Sequence, residues 1–101
     1  MYSNPLQGSE HAARLRKEAG AYVKSLRQKA RLTQKDLAKL IGYEYYTFIS
    51  QIESGKGRVP PEQYEAWARA LGVPPDEFVK HLLQFYDPFA WKILFGQKSS
   101  K

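Results

Sequence analysis

Leu32-Thr33-Gln34-Lys35-Asp36-Leu37-Ala38-Lys39-Leu40-Ile41-Gly42, followed after six residues by Ile49-Ser50-Gln51-Ile52-Glu53-Ser54-Gly55-Lys56, is the stretch that decides how this chain folds. Thr33 is a good helix N-cap, and Thr33-Gln34-Lys35-Asp36 has the form of a capping box with Asp in place of Glu. Leu37, Ala38 and Ile41 fall on one helical face, and Gly42 supplies the left-handed residue that ends the helix. A second, short helix is predicted from about Tyr45 to Glu53. Its buried face would be Tyr45, Ile49 and Ile52, at spacings of four and three. Tyr46, Thr47, Ser50, Gln51 and Ser54 would then face outward, with Phe48 at the edge of that face. The stretch thus reads as helix, glycine-centred turn, helix, and a helix of this size fits the major groove of duplex DNA.

Upstream, Asn4-Pro5 and Gly8 suggest that residues 1–8 form a flexible arm, with Ser9 as N-cap of the next helix. Ala12, Leu15, Ala19, Val23, Leu26 and Ala30 recur at helical spacing, an apolar stripe expected to pack in part on the C-terminal segment. Gly20 interrupts this helix at about 1 kcal/mol relative to Ala, marking a kink or the close approach of another helix. Downstream, Pro60-Pro61-Glu62 opens a helix with the stripe Tyr64, Trp67, Ala68 and Leu71, closed by Gly72. Pro74-Pro75-Asp76-Glu77 opens another, with Phe78, Leu82, Leu83, Phe85 and Tyr86 apolar. Asp87-Pro88 restarts the chain before an apolar element at 88–95. No segment alternates with the period of a strand. The expected fold class is all-α: five helices, the first extended, plus a short extra C-terminal apolar element. The domain would span 9–86, with 87–101 an apolar segment and polar tail.

The 101 residues suffice for one core. No apolar run approaches a membrane span, and residues 1–8 lack the pattern of a secretory signal. Cysteine is absent, so disulfides and thiolate metal sites are excluded, which fits a reducing cytosol. The net charge of +6 sits entirely in residues 1–58, which hold eleven basic and five acidic side chains, while residues 59–101 balance at five each. That basic half contains the helix–turn–helix stretch and would attract a polyanion.

Taken together, Gly20-x-x-Val23-x-x-Leu26-Arg27, Leu32-Thr33-Gln34-x-x-Leu37-Ala38-x-x-Ile41-Gly42 and Ile49-Ser50-x-Ile52-Glu53-x-Gly55-Lys56 resemble the Cro/phage-repressor (XRE) helix-turn-helix family over roughly residues 20–72. The resemblance implies a five-helix DNA-binding domain whose third helix is the recognition helix. It implies that Gln34 touches a phosphate and braces that helix, and that Arg27 and Glu53 form a structural pair between the first and third helices. One departure stands out. The six residues between Gly42 and Ile49 are one more than the family's usual spacing, and they are aromatic where the family often has Ser and Gln.

Group chemistry suggests how the outward face would read DNA. Gln51 can donate and accept at an adenine edge, Thr47 and Ser50 can bond base or phosphate, and the Thr47 methyl or Phe48 ring can meet a thymine methyl. Tyr46 can contact a base or bond a phosphate; core or dimer packing is the alternative for Tyr46 and Phe48. Gln34, Lys35, Ser54, Lys56 and Arg58 are the candidate phosphate contacts, Lys35 and Lys39 being equally readable as a solvated face. Phe89, Trp91, Ile93, Leu94 and Phe95 are too apolar to stand in water and would either fold back on the core or form a dimer interface.

Catalysis is not expected: His11 and His81 are isolated, and no paired carboxylates, phosphate-binding glycine loop or metal-ligand spacing is present. No cofactor or metal is implied. The expected function is a cytoplasmic, nucleoid-associated DNA-binding transcriptional regulator, bacterial or phage-like, acting as a homodimer and most simply as a repressor. The alternative is a protein-interaction module on the same fold, an antitoxin or adaptor using its aromatic surface.

Overall fold

The computed structural model describes residues 5–96. Among them it is all-helical: α1 (Pro5–Lys29), α2 (Gln34–Ile41), α3 (Thr47–Glu53), a 3-10 turn (Pro61–Gln63), α4 (Tyr64–Leu71), α5 (Pro75–Tyr86) and α6 (Pro88–Phe95). The all-α expectation holds, and the C-terminal apolar element is a sixth helix.

Helix α1 begins four residues before the expected cap. Proline suits a first helical position, because its missing N–H has no partner there anyway. Residues 5–8 of the expected arm are therefore helical, and Ser9 lies inside α1; residues 1–4 and the tail 97–101 lie outside the described residues. Ala12 and Ala30 of the expected stripe are exposed, and Leu15 is half-buried. The stripe enters the core at Ala19 and Val23, where α1 packs on α3 and α5.

The capping box of α2 forms in both directions. Thr33 Oγ1 accepts from the Asp36 N–H and Asp36 Oδ2 accepts from the Thr33 N–H, each at 3.0 Å. These bonds hold the Asp36 carboxyl below the usual carboxylate range. Gly42 closes the helix in the left-handed conformation.

The core gathers one or two large side chains from each of five helices. Val23, Leu37, Ile49, Ile52, Trp67, Phe78 and Leu82 are fully buried. Val59, in the loop after α3, joins them, and its N–H donates to the Tyr86 hydroxyl at 3.0 Å, fastening that loop to α5. Asp87 caps α6 through the Ala90 N–H. Helix α6 lies against α5 and rests there on Trp91 and Phe95, which are half-buried.

Candidate nucleic-acid interface

Three helices meet at one carboxylate. Glu53, the last residue of α3, accepts from Arg27 Nε at 2.6 Å, from Arg27 Nη2 at 3.1 Å and from Gln34 Nε2 at 3.0 Å. The third guanidinium nitrogen, Arg27 Nη1, donates to the Leu32 carbonyl at 2.7 Å. The two charged side chains are 11% and 4% exposed, so the pair is screened from water and fixed in a bidentate geometry. The cluster ties the end of α1, the start of α2 and the end of α3 together. Gln34 therefore braces α3 as the resemblance implied, and one N–H of its amide remains for a phosphate.

Gly20 completes the placement of α3. A Cβ there would come within 2.4 Å of the Glu53 carbonyl oxygen and 2.5 Å of that of Ile52. Of the two readings of Gly20, the close approach of another helix is the one found.

The turn sorts its aromatics into two sets. Tyr43 points inward: its hydroxyl bonds Gln63, and its ring meets Phe48 edge-on at 5.0 Å and Trp67 at 6.4 Å. Burial pushes its phenol above the ordinary value. Phe48 is accordingly half-buried and committed to packing. Tyr45 and Tyr46 point outward, 70% and 45% exposed. The expectation that Tyr45 belongs to the buried face of α3 is overturned. The extra turn residue delays the helix to Thr47, so Tyr45 lies before it and out of phase with Ile49 and Ile52.

The remaining outward face of α3 is as expected: Thr47 and Gln51 are exposed and Ser50 is half-exposed. Lys35, on α2, lies 5.9 Å from the centre of the Tyr46 ring, and Lys39 is exposed one turn on. Ser54 is exposed, but its hydroxyl donates to the Gln51 carbonyl at 3.1 Å, so its proton reaches a phosphate only if that bond opens. Lys56 is exposed, and its N–H closes the end of α3 on the Gln51 carbonyl at 2.8 Å. Arg58 is not a free loop cation: its guanidinium lies 4.3 Å above the Tyr86 ring and the residue is half-buried.

The sequence places Lys17 among the basic side chains on the outer faces of the first helix, which could extend over a DNA backbone, but does not pair it with a second cation. A Cβ on Gly55 would meet Lys17 Cγ at 2.8 Å, so α1 brings this lysine onto the loop that carries Lys56. Lys17 and Lys56 are 39 positions apart in sequence with no motif linking them, so only the packing of α1 on α3 reveals the pairing. Phe89, Ile93 and Leu94 of α6 are 82%, 68% and 64% exposed. His81 stacks on Tyr22 at 4.2 Å, a packing role.

The family described as helix-turn-helix domain matches residues 18–80, well over half the chain, and the chain belongs to that family. The match is consistent with the XRE-like resemblance, and a helix-turn-helix domain suggests a DNA-binding regulator, a class that is typically not enzymatic. No curated protein matches the chain. Among the described residues, no helix is long and apolar enough to cross a membrane.

Proposed function

We propose that this chain is a sequence-specific duplex-DNA-binding transcriptional regulator that inserts α3 into the major groove and represses by occupying a promoter. The observation that carries the reading is the exposed polar face of α3, Thr47, Ser50 and Gln51, on a helix whose far end is clamped to α1 and α2 through Glu53. A reading helix must be held rigidly against the scaffold that grips the phosphates, and this one is. In this proposal Tyr46, Thr47, Ser50 and Gln51 face base edges. Gln34, Lys35, Ser54 and Lys56 face phosphates, joined by Lys17, while Arg58 contributes charge from its seat on Tyr86. The protein works in the cytoplasm, on the nucleoid.

The reading includes a homodimer. Helix α6 is apolar apart from Lys92, yet Phe89, Ile93 and Leu94 stand exposed while Trp91 and Phe95 rest on α5. An apolar surface of that kind belongs in an interior, and a dimer reading two half-sites would supply one.

The test is an anisotropy titration of the full chain on a labelled duplex selected from a random library, with a scrambled duplex as competitor, at low and physiological salt. Preference for the selected duplex that survives physiological salt and is lost in Gln51→Ala supports the reading. Binding only at low salt, with no preference, refutes it. Salt-insensitive capture of a protein through the exposed aromatics would then favour the interaction module instead.

A further inference from the structure

The proposal rests on the DNA reading above and concerns Tyr45, which that reading leaves unused. None of the aromatic or cation pairs among the described residues involves the Tyr45 ring, although it is 70% exposed. It stands on the turn tip between two recesses and lines both. One, of about 530 Å³, is bounded on the α2 side by Lys35 and Lys39. The other, of about 360 Å³, is bounded on the α3 side by Thr47 and Gln51. With Tyr43 and Glu44, Tyr45 is shared by the recess that holds the cations suited to a phosphate backbone and the one that holds the amide suited to a base edge.

Glu44, beside it, is exposed and lines both recesses too. A carboxylate is repelled by phosphates and by the acceptors of the groove alike, so contact with the major groove at the tip falls to the uncharged ring. An aromatic ring arriving there meets the apolar feature of the major groove, the thymine 5-methyl group. We infer that Tyr45 is a specificity-determining residue that reads a thymine in each half-site by packing its ring on the 5-methyl. Of the other aromatics near this face, Phe48 is held by Tyr43, and Tyr46 lines only the recess on the α2 side, beside Lys35.

The experiment uses the full chain and a labelled duplex selected by the wild type from a random library, together with versions in which deoxyuridine replaces thymidine at one position at a time. That change removes only the 5-methyl group. The wild type is expected to lose about fourfold in affinity at one thymine per half-site, the equilibrium worth of one buried methyl-sized group. Tyr45→Ala should bind the methyl and demethylated duplexes equally, with an unchanged salt slope. Tyr45→Phe should keep the discrimination, because the ring and not the hydroxyl carries it. Circular dichroism of Tyr45→Ala should match the wild type, since the residue is outside the core. Equal sensitivity to every thymine in wild type and Tyr45→Ala would overturn the assignment while leaving the DNA reading intact. Failure of the library to enrich any sequence would overturn the DNA reading, and this assignment with it.

Discussion

At Glu53 a single carboxylate collects three hydrogen bonds from two helices. Removing one side of so enclosed a pair leaves the other charged and desolvated, which costs more than the pair itself contributes. Arg27→Ala is therefore expected to lower stability by about 3 kcal/mol, and to weaken DNA binding with it because α3 loses its anchor. Chemical denaturation and duplex titration on the same variant check this; lost binding with unchanged stability would make Arg27 a direct contact. Tyr86 supplies a pH dependence. Burial raises its phenol above the ordinary value of 10.0, although the Val59 N–H and Arg58 pull the other way. The stability tied to the neutral phenol is complete below about pH 10 and is lost as pH climbs through the folded value. Tyr86→Phe should blunt the alkaline fall in melting temperature, leaving the part due to Tyr22 and Tyr43, which are raised in the same direction. At neutral pH it should cost about 1 kcal/mol, because the Val59 N–H loses its acceptor. At this scale the Arg27–Glu53 pair and the Thr33–Asp36 box were legible in the sequence, the pair through the family resemblance and the box through its own residue types. The stack of Arg58 on Tyr86 was not, because nothing in a glycine-rich basic loop reveals which ring it will cross.

Among elements, the distance between α1 and α3 is set by the missing side chain of Gly20. Alanine is the better helix former by about 1 kcal/mol, but its Cβ would sit 2.4 Å from a backbone carbonyl oxygen that cannot rotate away. Overpacking of that kind costs about 1–3 kcal/mol, so Gly20→Ala should melt earlier and bind DNA more weakly as α3 is pushed outward. A higher melting temperature would contradict the contact. Helix α2 was readable to the residue, since a capping box and a C-terminal glycine bracket it. The start of α3 was not. Tyr46 precedes it without any side-chain cap, and four aromatics in a row of six satisfy the periodicity of either an early or a late start. The error displaced Tyr45 from the surface to the core, hiding the most exposed aromatic of the turn.

For the whole molecule, the charge lies in the half that carries α2 and α3, and the apolar excess lies at the opposite end of the sequence in α6. The first would grip a polyanion, and the second would join two copies. Ile93→Lys with Phe89→Ser should convert a dimer to a monomer in light scattering, without lowering the melting temperature measured at low concentration, because both side chains lie outside the core. A monomeric wild type, or a dimeric variant, would remove α6 from the interface. That α6 would be a helix was not explicit in its composition, but its conflict with water was. The central claim is that α3 and its turn are the DNA-reading surface, and the most direct measurement is amide chemical-shift mapping of the nitrogen-labelled chain on addition of the selected duplex. The account predicts perturbations concentrated at Gln34–Lys35, Glu44–Gln51 and Gly55–Lys56, with Lys17 moving alongside. Perturbations confined to α5 and α6, with α3 silent, would contradict it.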